Sequence, residues 1–430
     1  MAVTGRLVLL ALLGIVPVAL VPGWPTFGLV LAAVVLTVAA DVALAVPTSR
    51  LRLVRSGAVS CRLGDAVNVD LAVTNTGSRP ARGLLRDAWL PSAGAAPTTH
   101  VLDVPAGERR VLTTTLTPTR RGDRRPARIT VRSLGPLRVA GRQGGHEVPW
   151  QVRVQPSFAS RRFLPERLAR LRQLDGQLLT RGRGQGTEFD SLRDYVDGDD
   201  VRSIDWRATA RRSQVVVRTW RPERDRRVLL VVDTSRTSAG RVGDAPRLDA
   251  ALDAALLVAA LAIRAGDRVD LLAFDRRVQA AVEGAGRDQV LRRMAEAMAG
   301  LEPALVECDS GRLVAEILRR GRRRSLVVLF TGLEAPALQE GLLPSLGALT
   351  RRHTVVLASV ADPRVTELRS GRGDAEAVYG AAAAEQWLGE RRRMAAVLRQ
   401  RGVEVVDAPP ESFAPEVADT YLSLKAAGRL

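Results

Sequence analysis

Residues 228–237 read Val-Leu-Leu-Val-Val-Asp-Thr-Ser-Arg-Thr, and this stretch decides how the second half of the chain folds. Five consecutive apolar residues form too short a run for a globular helix and suit a buried strand. That strand delivers Asp233, Ser235 and Thr237 at its carboxyl end, where open α/β sheets bind their ligands. One carboxylate and two hydroxyls are oxygen donors of the type that hard cations such as magnesium prefer.

Further apolar runs at 269–274, 326–330, 354–358 and 403–406 alternate with helical patterns at 248–264, 288–298, 311–320, 338–350 and 385–400. The alternation predicts an α/β domain over 226–430, with a mostly parallel, doubly wound sheet and helices on both faces.

The amino-terminal end has another character. Residues 7–21 and 27–46 are almost entirely Leu, Val and Ala, separated by Pro22, Gly23, Trp24 and Pro25. The second run would be about 30 Å long as a helix, enough for a bilayer; the first is shorter and contains Pro17. The reading is a transmembrane hairpin over residues 1–50. Arg6 precedes it, Arg50, Arg52 and Arg55 follow it, and the turn has no charge, so both ends and the soluble domains face the cytoplasm at the cell membrane. If the first run is instead a cleaved signal peptide, the second still stops transfer and leaves the bulk inside. Asp41, near the cytoplasmic end of the second run, is expected to pair with an arginine or meet headgroups.

Residues 56–155 hold short alternating runs separated by turn residues such as Asn75-Thr76-Gly77, the pattern of a β-sandwich. This segment carries no visible chemistry and reads as a spacer or docking module. Residues 160–225 begin with Leu164, Leu168, Leu171 and Leu174 at helical spacing, an amphipathic linker helix that packs on a neighbour.

Composition excludes several functions. Lys425 is the chain's only lysine and lies outside any G-x-x-x-x-G-K-[ST] pattern, so no P-loop can form. Three histidines and two cysteines, widely separated, build neither a local zinc site nor a Cys/His nucleophile pair, and Cys61 and Cys308 suit a reducing compartment. The net charge of +18 is almost all arginine. Its clusters at 120–128, 161–172, 319–324 and 391–393 lack interleaved aromatics, so a solvated surface that favours an anionic membrane face is expected, with no nucleic-acid partner.

The segment ahead of the first strand is the most distinctive. Gly184, Gly186, Glu188, Phe189, Leu192, Arg193, Tyr195, Gly198, Asp199, Asp200, Arg202, Ile204, Asp205, Trp206, Ala210, Arg211, Arg218 and Glu223 together resemble the signature of the domain of unknown function 58 family. The membrane hairpin and β-sandwich resemble that family's usual layout too. The resemblance implies a von Willebrand factor A-like fold and an adaptor role beside a protein partner, with a MoxR-type AAA+ ATPase as the associated motor. It does not imply an enzymatic activity.

In the von Willebrand type a metal-ion-dependent adhesion site combines Asp-x-Ser-x-Ser, a Thr from a second loop and an Asp from a third. Asp233, Ser235 and Thr237 match the first element with a hydroxyl retained at the last position. After the strand at 326–330 the chain reads Thr331-Gly332-Leu333-Glu334, so the third-loop carboxylate is missing at Gly332 and Glu334 is the nearest replacement. In the second loop, Asp309 or Ser310 is the candidate to stand in for the Thr. The metal set expected for magnesium is therefore Asp233, Ser235, Thr237 and Glu334, in a degenerate site. Capping of the next element by Asp233 and Ser235 is the alternative use of the same groups.

The signature acids also allow a different function, a metal-dependent hydrolase that activates water with Glu188, Asp194, Asp197, Asp199, Asp200 and Asp205. Arg193, Arg202, Arg207 and Arg211 are interleaved with them, a pattern more typical of structural ion pairs. Glu188, Arg193, Tyr195, Asp199, Asp200, Arg202, Asp205, Trp206 and Arg211 are thus expected at a partner-binding or integrity-determining surface. Trp and Arg dominate interface energetics, but a buried Trp206 with a satisfied indole is the competing expectation. Gly182, Gly184 and Gly186 lack the G-x-G-x-x-G spacing and read as a flexible loop.

Overall fold

The computed structural model of the protein describes residues 1–181, 188–197, 199–212, 214–221, 226–321 and 323–430, excepting the side chains of 175–181, 188–191, 212 and 219–221. The glycines at 182, 184 and 186 lie outside the described residues. Contacts divide the chain into two units, Met1–Gln155 and Pro156–Leu430.

The first unit starts with two apolar helices, Gly5–Leu20 and Trp24–Leu44. Their outer ends meet one turn of the following sandwich. Ala2–Val3 pairs antiparallel with Gly141 and Ala140, and the Thr4 hydroxyl donates to the carbonyl of Arg138 at 2.6 Å. Asp41, fully buried in the second helix, accepts the backbone N–H groups of Leu137, Val139 and Ala140 at 2.9, 2.7 and 2.9 Å. The expected arginine or headgroup partner is therefore replaced by three backbone donors of a turn, groups that must be satisfied once buried. By length and composition the helix at Trp24–Leu44 is able to cross a bilayer. The first helix, with 16 residues, is about 24 Å long and falls short of the roughly 30 Å of hydrocarbon.

Beyond the helices lie a five-stranded sheet, a four-stranded sheet and a smaller three-stranded one. Alternate residues of Val67–Asn75 and Pro126–Leu134 point inward, so that Leu71, Val73, Ile129 and Val131 form a core with Leu85 and Leu102. Within it Arg55 pairs with Asp87 at 2.9 Å, and the indole of Trp89 donates to the same carboxylate at 3.0 Å. That buried charge is acceptable because it is both paired and hydrogen-bonded.

The second unit is built on six strands: β1 (Arg227–Asp233), β2 (Arg268–Phe274), β3 (Val278–Val282), β4 (Leu326–Phe330), β5 (Thr354–Val360) and β6 (Val403–Ala408). They lie in the order β3-β2-β1-β4-β5-β6. All neighbours are parallel except β2 and the edge strand β3. Val228, Leu230 and Val232 face one layer, with helices Arg247–Arg264, Arg287–Ala299 and Pro410–Ala426. Leu229 and Val231 face the other, with Ser310–Arg320, Leu343–Thr350 and Ala375–Gln400. Burial on both faces explains the unbroken apolar run of β1.

The helix Leu164–Arg181 belongs to this unit. Leu164, Leu168, Leu171 and Leu174 pack on the first layer, and Arg167 reaches Asp419 at 2.8 Å, so the helix is a structural wall and not a free linker. The expected helix at 338–350 is split into a π-helical turn, Ala337–Leu342, and an α-helix with Pro344 in its first turn. On the carboxyl-terminal helix, Lys425 holds Asp267 at 3.0 Å and Tyr421 donates to the same carboxylate at 2.6 Å.

Candidate binding rim at the sheet switch point

The chain leaves β1 toward β2 on one side, and later returns to place β4 on β1's other side. The carboxyl ends of β1 and β4 therefore flank the point where strand order reverses, the place where α/β sheets open a crevice. Asp233 ends β1, and Thr331 follows β4.

Asp233 is 1% exposed and collects four hydrogen bonds. The Ser235 N–H donates to one carboxylate oxygen at 2.8 Å; the Thr237 and Thr331 hydroxyls donate to the other at 2.8 and 2.6 Å. The Ser238 hydroxyl donates to the Asp233 carbonyl at 2.6 Å. Ser235 Oγ lies 3.2 Å from Thr237 Oγ1, so one carboxylate and three hydroxyls converge. The loop is fixed from outside as well, with Ala304 N–H donating to the Thr234 carbonyl at 2.7 Å and Arg236 N–H to the Val306 carbonyl at 2.9 Å.

These oxygens line a cavity of about 210 Å³, shared with Cys308, Ser310 and Gly332 and with Leu313, Leu329, Leu338 and Leu342. Of the second-loop residues, Ser310 lines it, while Asp309 caps the helix Ser310–Arg320 through the Arg312 N–H at 3.0 Å. Burial, and then the nearby Asp233 carboxylate, push the Cys308 thiol well above its usual range, so it is protonated at neutral pH.

Glu334 is turned elsewhere. Its carboxylate forms an ion pair with Arg247 and lies 4.0 Å from Arg391, and it is not among the cavity's lining residues. Its inclusion in the metal set is corrected on that ground. The carboxylate also fills the space beside Gly332: a Cβ at that position would overlap it. Arg391 is itself held by Ser359 at 2.9 Å and Asp407 at 3.2 Å and stacks 4.5 Å from the Trp387 ring.

Sequence reading missed Asp275, just past β2. It is buried and accepts from Gln279 at 2.9 and 2.7 Å, from the Arg277 N–H at 3.1 Å and from the Thr234 hydroxyl at 3.4 Å. Burial works to raise its pKa, but these donors outweigh it and hold the carboxyl below its ordinary value. The missed signal was its place, directly after an apolar strand that ends in Phe274.

The signature segment forms a small module of its own, an antiparallel pair Glu188–Asp194 and Val216–Arg221 beside the helix Trp206–Arg212. Arg193 pairs with Asp199, which also accepts the Val196 N–H at 3.0 Å. Asp200 caps the turn Val201–Ser203 through the Arg202 N–H, and Asp205 caps the next helix through the Arg207 and Ala208 N–H groups, each at 3.0 Å. Asp205 also takes Arg218 at 2.8 Å, and the Ala208 N–H and then Arg218 lower its pKa. Tyr195 is half-buried and donates its N–H to Val215, while Arg202 and Arg211 are exposed. The side chain of Glu188 lies outside those described. Trp206 is 67% exposed, which corrects the expectation of a buried indole; Val196 and Val201, each 61% exposed, are in the same module. Among the described residues no group of three or more His, Cys, Asp or Glu is placed to hold a metal.

Residues 191–395 match the family described as Protein of unknown function DUF58. This DUF58 region takes in most of the signature module and the whole Asp233 rim. The chain is similar to two uncharacterized proteins, Rv1480 of Mycobacterium tuberculosis (strain ATCC 25618 / H37Rv) and Mb1516 of Mycobacterium bovis. Each is 30% identical over 187 residues, covering 43% of this chain and 58% of the relative. The chain thus spans less than two thirds of these relatives' length.

Among solved structures, the CARDB domain of the PF1109 protein of Pyrococcus furiosus, in complex with di-metal ions, is 18% identical with a TM-score of 0.17, covering 24% of this chain and 86% of that one. A GH20 exo-β-N-acetylglucosaminidase of Vibrio harveyi is 9% identical with a TM-score of 0.21, covering 83% and 75%. TM-scores this low assign no fold.

Proposed function

We propose that the chain is a membrane-anchored adaptor whose DUF58 region, a von Willebrand factor A-like domain, grips a protein partner at the rim around Asp233. Its helical hairpin, in which Trp24–Leu44 is the helix long enough to span and Gly5–Leu20 runs back beside it, holds the soluble units on the cytoplasmic side. The family resemblance makes a MoxR-type AAA+ ATPase the partner to test first. The observation that carries the reading is the convergence of Asp233, Ser235, Thr237 and Thr331 in an open cavity at the switch point.

The donor set fits a hard cation in type, since one carboxylate and three hydroxyls are all oxygen and water commonly completes such shells. A magnesium ion bound by Asp233, Ser235, Thr237 and Thr331 would supply an open position for an acidic side chain of the partner. With only one carboxylate in the set, such an ion is held weakly, and the partner's own charge contributes much of the site.

A hydrolase acting through the signature acids is disfavoured because Asp199, Asp200 and Asp205 are spent on caps and ion pairs. Affinity purification of the intact protein from membranes tests the choice. Wild type should retain a protein partner in a magnesium-dependent way, Asp233→Ala should lose it, and no hydrolytic turnover should accompany retention. Turnover on phosphodiester or peptide substrates that vanishes in Asp199→Ala or Asp205→Ala would overturn the adaptor reading.

A further inference from the structure

A second cavity, of about 370 Å³, lies at the end of the apolar helix Trp24–Leu44 and is lined by residues 43–47 together with Arg50, Thr76, Gly77, Ser78 and Arg79. Its volume falls within the roughly 300–1,000 Å³ of small-molecule sites. No carboxylate lines it. Arg50 and Arg79 are both exposed and have no acidic partner among the described residues.

The helix's last carbonyls would ordinarily oppose an anion here, because a helix carboxyl end carries partial negative charge. Two guanidinium groups offset it. Arg79 Nη1 approaches the Leu44 carbonyl at 3.5 Å, and Arg142 Nε donates to the Val42 carbonyl at 3.0 Å. Most donors of Arg79 and all those of Arg50 remain available, and a fork of N–H groups matches phosphate oxygens well.

The wall opposite the helix is held in place before any ligand arrives. Asn75, fully buried, donates to the carbonyls of Arg79 at 2.8 Å and Val104 at 3.0 Å and accepts the Gly77 N–H at 2.9 Å. The Thr76 hydroxyl donates to the Arg50 carbonyl at 2.8 Å, tying the two arginine-bearing segments together. Little is then lost in ordering the site on binding.

The geometry points to this cavity as a binding site for the phosphate of an anionic phospholipid headgroup. The inference rests on the anchored reading of Trp24–Leu44: a spanning helix of about 31 Å puts its end, and hence Arg50 and Arg79, at headgroup depth. The site would read the lipid on the side of the membrane that carries the soluble units.

The test uses the full chain in phosphatidylcholine vesicles containing a minor fraction of phosphatidylglycerol, followed by detergent extraction and quantification of co-purified lipid. Wild type should stay with pure phosphatidylcholine vesicles after an alkaline wash and should enrich phosphatidylglycerol when it is present. In Arg50→Gln/Arg79→Gln the vesicle retention should persist while enrichment falls roughly tenfold or more, the scale of two arginines at a charged surface. Ser78→Glu, which adds a like charge at an exposed position, should do the same, and Arg125→Gln should not. Anchored protein whose enrichment is equal in all four would overturn the site alone. Wild type washed off neutral vesicles would overturn the anchoring reading and the site with it. Soluble glycerol phosphate binding the detergent-extracted protein as tightly as the lipid does would overturn the lipid as its source.

Discussion

Trp206 presents two thirds of its surface to solvent one residue after a carboxylate that is engaged on both oxygens, by the helix cap and by Arg218. An indole so placed contributes little to folding and much to any surface that covers it. Trp206→Ala should therefore change unfolding free energy by less than about 0.5 kcal/mol while weakening partner retention by the roughly 2 kcal/mol of an interface hot spot. Chemical denaturation and quantitative pull-down measure the two effects. Loss of stability with retention intact would contradict this placement. The indole's exposure was illegible in the sequence, because Asp205-Trp206 is compatible with either a buried or an open ring until the helix that follows is oriented. Asp233 was a mixed case: its place after five apolar residues located it at the carboxyl end of the strand, but its oxygens were expected to sit exposed. The residue is 1% exposed because the Ser235 N–H and the Thr237 and Thr331 hydroxyls close over it.

Between residues and domains, the loop after β4 shows what a missing carboxylate leaves behind. Gly332 lacks a side chain, and the Glu334 carboxylate occupies the space one would need, locked to Arg247. Restoring an acid by Gly332→Asp should therefore not tighten magnesium binding by itself. It must displace Glu334 and strand Arg247, costing about 1–3 kcal/mol by the usual penalty for an unpaired buried group. Gly332→Asp/Glu334→Ala makes room and should bind magnesium more tightly than wild type in calorimetry; a tight single variant would show that the loop rearranges freely. The sequence located this loop and its gap, yet could not give the direction of Glu334, which depends on an arginine 87 residues earlier. Element boundaries were readable where apolar runs are unbroken, as in β4. The edge strand β3 escaped notice because most of it is exposed, and the helix Pro410–Ala426 because Pro415 interrupts its pattern.

At the scale of the whole molecule, the second unit carries a buried titratable group whose burial is uncompensated. His353 is 4% exposed, and neither ring nitrogen has a hydrogen bond among the described residues. Burial, and then Arg352 and Arg227, lower its pKa from 6.5. Since the folded value lies below the unfolded one, stability should be full above about pH 6.5 and fall as the pH drops through 6.5 toward the folded value. Urea midpoints for wild type should decline between about pH 7.5 and 5.5, a window spanning the unfolded value. His353→Leu should flatten that decline; an unchanged slope would place the titrating group elsewhere. The strand content of the first unit and the strand–helix alternation of the second were foreshadowed by changes in sequence periodicity, whereas the sequence suggested four segments, 1–50, 56–155, 160–225 and 226–430, and contacts group the chain into two units.

Asp41 has a mechanical consequence. Because one carboxylate clasps three amides of a single sandwich turn, the apolar helix is tied to the strands beside it at a second point besides the chain itself, a linkage expected to resist swivelling. For an anchored protein, a change in bilayer thickness that tilts the helix would swing the attached strands with it.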